Sequence, residues 1–366
     1  MRRLRPYDRS RAHVLPRSSA RDGEPNAGRV PRPHDPPSQD VALAGRAPTP
    51  ILVVCGPTGT GKSRLALQVA ERLGGEVVGC DALQVYRGLD AATAKPTRAD
   101  RARVPHWLID VADPRRDYSV ADYVRDADAA IAGIVARGRV PVIAGGTGMY
   151  LRGLLKGLVA APPRDEALRA RLRSLLARYG APRLHRLLAG LDAESAARIG
   201  PADAQRIVRA LELALPGEDT WSARLARDGT WSRAGERYRA VKFGLDLERD
   251  ALAERLAARV DAFLEAGLAD EVDRLLARGV PATANAFRGI GYREVLLART
   301  EGREPESTRD AIVVATRQYA KRQRTWFRRE PGLVWLDAGR GIDALVAPVS
   351  DAWDASRARG GAPSAC

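Results

Sequence analysis

A glycine-rich loop at residues 56–63 carries the clearest chemical signature in this sequence. It matches the pattern GxxxxGK[ST], in which backbone N–H groups converge on phosphate oxygens and a helix N-terminus adds partial positive charge. Lys62 is expected to reach the terminal phosphate, and the Ser63 hydroxyl is expected to bind Mg²⁺. The sequence thus predicts a di- or triphosphate site formed by Gly56, Pro57, Thr58, Gly59, Thr60, Gly61, Lys62 and Ser63.

A carboxylate and a second glycine-rich loop are expected beside the phosphate loop. Asp81 follows an apolar run at 76–80, and Gly-Gly-Thr-Gly at 145–148 follows another at 140–144. Because ligands bind at the carboxyl ends of parallel strands, these segments should meet at one edge of a sheet. There Asp81 could bind Mg²⁺, orient a hydroxyl group or accept a proton, and Gln84 could bond an adenine edge at two points.

The strand before the second loop disfavours phosphoryl transfer from a nucleotide. Nucleotide hydrolases usually end this strand with an Asp that helps to hold Mg²⁺, whereas residues 140–144 are followed by two glycines. Asp110 offers another carboxylate, but the apolar run before it is short. A phosphate-bearing donor other than a nucleotide therefore has to be considered.

Excess positive charge favours polyanionic partners. The 366 residues hold 60 Lys plus Arg against 45 Asp plus Glu, a net charge of +15, although a GC-rich genome would also produce such an excess of Arg. One helix carries a cationic stripe that would bind RNA phosphates or a diphosphate, or would be an ordinary solvated face. The stripe consists of Arg317, Lys321, Arg324 and Arg328. A second cationic helix face consists of Arg249, Arg255 and Arg259.

Alternating strand and helix patterns must position these groups. The apolar runs at 51–55, 76–80 and 140–144 are typical of buried parallel strands, and helical periodicity at 62–73 and 120–137 separates them. This order predicts an α/β fold: a P-loop, doubly wound parallel sheet with a helical insertion and C-terminal helices.

Composition divides the chain into five segments. The first is rich in Pro and Arg and poor in apolar residues, which predicts disorder. The third is rich in Leu and Arg at helical spacing. The expected organisation is a disordered basic leader at 1–50, a P-loop α/β core at 51–164, a helical insertion at 165–202, completion of the core with C-terminal helices at 203–337, and a flexible tail at 338–366.

Membrane, disulfide-rich and zinc proteins are excluded by the same composition. No apolar run reaches the roughly 18 residues that a membrane span requires. The three cysteines, Cys55, Cys80 and Cys366, lack CxxC spacing, and the four histidines lack the spacing of zinc ligands. The N-terminus is Arg-rich without the apolar segment of a secretory signal. We expect a cytoplasmic protein without membrane contact.

In combination, these segments resemble the tRNA dimethylallyltransferase family, the isopentenyl-tRNA transferases. The resemblance runs in order from residue 51 to about residue 337. It is carried by GPTGTGKS at 56–63, CDALQVYRGLDAATAKP at 80–96, PHWLID at 105–110, YSVADYVRDA at 118–127, GGTGMYLRGLLKGL at 145–158, DAQRIVRALEL at 203–213, IGYREV at 290–295 and RQYAKRQRTWFRR at 317–329.

The resemblance implies transfer of a dimethylallyl group from dimethylallyl diphosphate to N6 of adenosine 37, in the anticodon stem-loop of tRNA. Asp81 would accept the N6 proton. Lys62, with Mg²⁺ on Ser63, would stabilise the departing diphosphate, and Thr60 would take part in catalysis. Either Arg249 or Arg255 would assist the departure of the diphosphate, and the sequence does not decide between them. We expect the enzyme to be a monomer.

The resemblance also implies which residues contact tRNA. The insertion at 165–202 would bind the anticodon stem-loop, and Thr147 would line the path of the adenosine. The implied tRNA-contacting residues are Asp81, Ala82, Leu83, Gln84, Thr147, Gln205, Arg206, Ile207, Val208 and Arg209.

Two other functions compete with the transferase. A P-loop kinase would consume ATP and need an acceptor hydroxyl or phosphate, and the missing strand-terminal Asp counts against it. A non-catalytic RNA-binding ATPase or chaperone would not need Asp81. Label transfer from a prenyl diphosphate to tRNA distinguishes the three.

Overall fold

The structure is a computed structural model and describes residues 48–158, 165–217, 220–228 and 236–360. The predicted leader at 1–50 lies outside these ranges except for its last three residues. The end of the predicted tail, from residue 361 onward, also lies outside them.

A six-stranded parallel sheet forms the centre of the fold, with the strand order β3-β2-β4-β1-β5-β6. The strands are β1 (Pro50–Cys55), β2 (Glu76–Cys80), β3 (His106–Trp107), β4 (Pro141–Gly145), β5 (Arg239–Asp246) and β6 (Leu333–Asp337). Strands β1, β2 and β4 match the predicted apolar runs to within one residue.

Helices follow most of the strands and make up much of the rest of the described residues. Glycine or a side-chain cap marks many of their ends; for example, Gly267 at φ 79° separates a helix that ends at Glu265 from one that begins at Leu268. The helices are α1 (Lys62–Leu73), α2 (Arg98–Arg103), α3 (Val120–Ala136), α4 (Gly148–Lys156), α5 (Glu166–Tyr179), α6 (Ala181–Leu191), α7 (Ala193–Arg198), α8 (Ala204–Ala214), α9 (Trp221–Asp228), α10 (Arg249–Glu265), α11 (Leu268–Ala277), α12 (Tyr292–Glu301), α13 (Pro305–Phe327) and α14 (Asp343–Gly360).

The two faces of the sheet are buried in separate hydrophobic cores. Alternate residues of β1 point to opposite faces: Leu52 and Val54 pack with α1 and α14, whereas Ile51 and Val53 pack with α3 and α4. A sheet covered by helices on both faces is doubly wound, so the predicted fold class is confirmed.

The helical insertion is longer than predicted. Helices α5 to α8 share a hydrophobic core in which Leu172 and Leu188 pack against Ile207 and Leu211 of α8. The predicted boundary at residue 202 would cut through this core. Sequence reasoning placed α8 with the main domain because nothing in its own pattern shows which neighbour covers its apolar face.

The prediction of a flexible tail from residue 338 is wrong for the described residues. Helix α14 packs on α1, and Leu345, Val349 and Trp353 are at most 2% exposed. These three residues recur at four-residue spacing, which places them on one face of the helix.

A third hydrophobic core lies under α10 to α13. It joins the segment after β2, through Val85 and Leu89, to Val260, Phe287 and Tyr292. The segment that follows Asp81 is therefore supported by the C-terminal helices. Within the described ranges, no helix is both long enough and apolar enough to cross a membrane.

Candidate active site

The phosphate loop connects β1 to α1 and is shaped by glycines. Gly56 has a φ of 129°, and a Cβ atom there would lie 2.4 Å from the carbonyl oxygen of Leu245 in β5. Only glycine permits both the backbone conformation and this close approach. The loop therefore sits directly against the sheet edge, as the motif predicts.

The functional side chains of this loop differ in how accessible they are. The Lys62 ammonium folds back and donates to the carbonyl oxygen of Pro57 at 2.6 Å. The Ser63 side chain is exposed at the start of α1. Thr60 is fully buried, and its hydroxyl donates to the same Pro57 oxygen at 2.9 Å. The structure thus shows Thr60 supporting the loop from inside, and its part in catalysis stays a prediction.

Arg259 of α10 is the arginine that lies beside the phosphate loop. Leu252 and Leu256 of the same helix pack against Gly59, and Arg259 follows them on that helix face. Its guanidinium lies over the ring of Phe263, 4.9 Å from the ring centroid. Burial lowers the pKa of Arg259, and Asp81 opposes this shift.

Arg249 and Arg255 are exposed on α10, unlike Arg259. Arg255 lies off the helix face that Leu252 and Leu256 turn toward the loop, and Arg249 stands at the exposed first residue of the helix. The sequence offered Arg249 or Arg255 as the assisting arginine, and that choice stays a prediction; the arginine whose charge acts on Lys62 in the structure is Arg259.

Three charges meet next to the loop. Burial of the Lys62 ammonium and the positive charge of Arg259 lower the pKa of Lys62 from 10.5 to about 8, whereas Asp81 acts in the opposite direction. Two cations and one carboxylate therefore lie within electrostatic reach of one another at the carboxyl edge of the sheet. Such a site is suited to binding a diphosphate beside a proton acceptor.

Asp81 stands at the end of β2 and caps a turn. Its Oδ1 atom accepts the backbone N–H groups of Leu83 at 2.9 Å and Gln84 at 3.2 Å. This turn fixes the direction of the carboxylate. The next residue, Ala82, donates its N–H to the Thr147 hydroxyl oxygen at 3.1 Å.

Thr147 joins the second glycine-rich loop to the Asp81 segment. Besides accepting from Ala82, it donates its own N–H to the carbonyl oxygen of Cys80 at 3.1 Å. Tyr319 of α13 lies beside both Thr147 and Asp81, and burial raises the pKa of its hydroxyl. The predicted convergence of the two loops at one edge is therefore what the structure shows.

The two-point contact predicted between Gln84 and an adenine edge is wrong for this conformation. Its Nε2 atom already donates to the carbonyl oxygens of Thr93 at 2.9 Å and Ala94 at 3.2 Å. Because an amide has two N–H donors, both are engaged, and only Oε1 remains to accept a bond.

The predicted tRNA contacts at 205–209 divide into two groups. Gln205 and Arg206 are exposed, whereas Ile207 and Val208 are buried in the core of the insertion at 0% and 9% exposure. The side chains of Ile207 and Val208 therefore serve the core of the insertion, and a tRNA contact at these two residues stays a prediction. Arg209 is half-buried and donates to Glu212 at 3.0 Å.

The Glu212 carboxylate forms a buried ion pair inside the insertion. Arg169 of α5 donates to it at 2.5 and 2.8 Å, and Arg209 of α8 donates to the same carboxylate. Glu212 therefore ties α5 to α8. Hydrogen bonding to Arg169 and Arg209 lowers the pKa of Glu212 against the opposing effect of burial.

The cationic stripe on α13 is only partly exposed to solvent. Arg317, Lys321 and Arg328 are exposed, whereas Arg324 donates to the carbonyl oxygen of Leu247 at 2.7 Å and to Asp246. Arg324 therefore ties α13 to the end of β5.

Gln323 lies on the buried side of α13 and was missed by sequence reasoning, although it lies within the segment 317–329. Its amide contacts both glycine-rich loops, through Thr58 and Gly146. A polar residue in the apolar stripe of an amphipathic helix was the available signal.

Comparisons with known proteins agree with this geometry. The sequence profile of the IPP transferase family matches residues 84–330, and that of the isopentenyl transferases matches residues 49–110. The tRNA dimethylallyltransferase of Geobacter metallireducens is 43% identical over 301 residues, which is 82% of this chain and 96% of the relative.

Solved structures show the same fold. A full-length tRNA isopentenylpyrophosphate transferase from Bacillus halodurans has a TM-score of 0.63 and 33% identity, over 86% of this chain and all of that one. A eukaryotic dimethylallyltransferase described as acting on tRNA has a TM-score of 0.67 and 26% identity, over 79% and 74% of the two chains. The profile match and these similarities confirm the resemblance read from the motifs: this chain belongs to the IPP transferase family.

Proposed function

We propose that this protein is a tRNA dimethylallyltransferase, which transfers a dimethylallyl group from dimethylallyl diphosphate to N6 of adenosine 37 in tRNA. The observation that carries this proposal is the meeting of Lys62, Arg259 and Asp81 at a phosphate loop. Two cations suit a diphosphate leaving group, and the neighbouring carboxylate suits a proton acceptor.

The transfer exchanges one bond at the allylic carbon and moves one proton. The N6 nitrogen forms a bond to the allylic carbon, and the bond from that carbon to the diphosphate oxygen breaks with its electron pair leaving on the diphosphate. Asp81 accepts the N6 proton. Its Oδ1 atom holds the turn through Leu83 and Gln84, so Oδ2 is the oxygen we assign to the proton.

Stabilisation of the leaving diphosphate supplies most of the rate enhancement. The allylic carbon gains cationic character while negative charge develops on the diphosphate, so charge placed in advance around the leaving group lowers the barrier. Lys62 exchanges its contact with the Pro57 oxygen for a phosphate oxygen, and Arg259 binds from the side of α10. Thr60 maintains the loop that orients these groups.

A Mg²⁺ ion fits the donor atoms at the loop. Magnesium takes oxygen ligands and is usually held by few protein side chains together with substrate phosphates and water. The exposed Ser63 hydroxyl offers such a ligand next to the diphosphate, while Asp110 is paired with Lys95 and Arg101 and is not available. When bound, Mg²⁺ would neutralise part of the charge on the departing diphosphate.

The tRNA contacts follow from exposure and charge. Gln205 and Arg206 present polar and cationic groups on the insertion, and Asp81, Ala82 and Thr147 line the nucleoside side of the site. A base in a loop leaves its stack at a cost of a few kcal/mol, which explains a preference for an anticodon loop over a duplex.

We further propose a monomeric enzyme that works in the cytoplasm. All proposed catalytic groups come from one chain. Cys55 and Cys80 are buried free thiols, which agrees with a reducing compartment. Light scattering of the purified protein tests the monomer.

A transfer assay tests the proposed function. Purified protein is incubated with Mg²⁺, labelled dimethylallyl diphosphate and unmodified tRNA, with a tRNA lacking adenosine at position 37 as the matched control. Label confined to the tRNA that carries adenosine 37 is the expected result. Absence of label, with ATP consumed in a parallel reaction, would replace the transferase with the kinase alternative.

A further inference from the structure

The two glycine-rich loops of the site are joined by a single buried side chain. Gln323 of α13 is 6% exposed, and its Oε1 atom accepts the backbone N–H of Thr58 in the phosphate loop at 2.9 Å. Its Nε2 atom donates to the carbonyl oxygen of Gly146 in the second loop, also at 2.9 Å. Each end of one amide thus holds one loop.

The two loops serve different substrates under the proposed function. The phosphate loop binds the diphosphate of the donor. Gly146 precedes Thr147, whose hydroxyl accepts the N–H of Ala82 beside Asp81, so the second loop belongs to the nucleoside side. The Gln323 bridge therefore runs from the donor half of the site to the acceptor half.

The surroundings hold this bridge in one position. A Cβ atom on Gly146 would lie 2.2 Å from Nε2 of Gln323, so the loop accommodates the amide only because residue 146 is glycine. Helix α13 is itself anchored by Phe327 in the core and by Arg324 on the end of β5. Three residues beyond the anchored amide, the Trp326 ring covers Gly148 so closely that a Cβ atom there would collide with it.

We propose that Gln323 is a positioning residue that sets the distance and angle between the allylic carbon and adenosine N6. The inference rests on the proposed function. Gln323 contacts neither the diphosphate nor the base; it acts through the two loops that do. Transfer depends on that alignment because a displacement of about 1 Å between reacting groups costs on the order of 100-fold in rate.

Replacing the amide by a side chain of similar length isolates the hydrogen bonds from the packing. Q323M should lower kcat on the order of 10- to 100-fold while KM for dimethylallyl diphosphate changes less than about threefold, because each loop still binds its own substrate. Inorganic diphosphate, titrated by calorimetry, should bind with unchanged affinity and full stoichiometry. That stoichiometry counts folded sites, so partial unfolding is not mistaken for lost alignment. The matched control is Q318M, an exposed glutamine on the same helix, which should behave as wild type.

A second variant tests the coupling of the two positions. In wild type, G146A should lower kcat because the new methyl group meets the amide of Gln323. In the Q323A background that collision disappears, so G146A should add little further loss. Additive losses at 146 and 323 would overturn the bridge.

The outcomes separate the inference from the function on which it rests. Wild type that transfers label, with Q323M matching it in kcat, overturns the positioning role alone. Weakened diphosphate binding by Q323M also overturns it, because the side chain would then serve the donor loop by itself. Wild type that transfers no label overturns the proposed function and, with it, this role of Gln323.

Discussion

The charge of Arg259 acts on the ammonium group of Lys62 at the phosphate loop, although the two residues come from α10 and α1. Burial and the charge of Arg259 together lower the pKa of Lys62 to about 8. In the free protein these two cations repel each other. A bound diphosphate relieves that repulsion, so the site is arranged in advance for an anion.

The pH dependence of the donor step should reflect this pair. As pH rises through about 8, Lys62 in the free enzyme loses its proton, and kcat/KM for dimethylallyl diphosphate should fall. Bound diphosphate favours the protonated lysine, so kcat at saturating donor should fall only at higher pH. Steady-state profiles with saturating tRNA measure both quantities. A kcat/KM that stays flat well above pH 8 would contradict the shifted lysine.

The same lysine should affect folding stability with a definite sign. Its pKa is 10.5 unperturbed and about 8 in the folded protein, so the unfolded chain binds more protons between these values. The contribution of Lys62 to the free energy of unfolding therefore rises with pH across that window. Urea titrations of wild type and K62M at several pH values measure this contribution. The difference between their free energies of unfolding should change with pH; a difference that stays constant would show that the pKa of Lys62 is not shifted.

Removing Arg259 should weaken donor binding. R259M loses a charged contact to the diphosphate, and such contacts are worth roughly 1.5–3 kcal/mol, or about 10- to 100-fold in KM. The basic limb of kcat/KM should also move to higher pH, because a charge that lowers the pKa of Lys62 is gone. R255M, an exposed arginine on the same helix, is the matched control. Equal effects of the two substitutions would show that α10 acts through its general charge.

Replacing Asp81 by asparagine should separate its two roles. Asparagine keeps an oxygen that accepts the N–H groups of Leu83 and Gln84, so the turn and the melting temperature should persist. It cannot act as the base, so kcat should fall roughly 10²- to 10⁴-fold. D81A removes the turn as well and should also lower thermal stability. Full activity of D81N would exclude Asp81 as the proton acceptor.

Two neighbouring residues of α8 should respond differently to substitution. R206Q changes an exposed cation and should weaken tRNA binding, with the slope of log affinity against log salt reduced by about one, at unchanged stability. I207A changes a fully buried side chain and should cost about 2–5 kcal/mol of folding stability. Binding titrations across salt concentrations and urea unfolding measure the two effects. A salt slope that R206Q leaves unchanged would remove Arg206 from the RNA surface.

The last described helix should prove essential to the fold. Trp353 is 2% exposed in the core that β1 and α1 share, so W353A should destabilise the protein by about 3–5 kcal/mol. D354A, at the exposed neighbouring position, should be neutral within about 0.5 kcal/mol. Equal stability of the two variants would contradict this prediction and support the flexible tail that the sequence predicted.

Local patterns predicted much of this protein because their physics is local. A glycine-rich turn between an apolar strand and a helix creates converging N–H groups wherever it occurs, so residues 56–63 indicated a phosphate site on their own. The period of apolar residues likewise predicted β1, β2, β4, α1 and α3 to within about one residue. The carboxyl-edge rule then brought Asp81 and Thr147 to the same place.

The errors arose where the covering partner of a face was unknown. Arg249 and Arg255 are exposed on α10, whereas Arg259 is partly buried and follows Leu252 and Leu256, which pack on Gly59. Ile207 and Val208 share a motif with exposed Arg206 but turn toward the core of the insertion. The sequence predicted that the Gln84 amide bonds an adenine edge, yet its N–H groups donate to the backbone carbonyl oxygens of Thr93 and Ala94.

The sequence alone established the sheet, the phosphate loop, the family resemblance and the chemistry of a diphosphate donor. Tertiary packing decided which arginine acts on Lys62 and how Gln323 joins the two loops. The Gln323 contact joins Thr58 to a residue 265 positions further along the chain. No local pattern encodes such a pairing, because it exists only once α13 has packed across the end of the sheet.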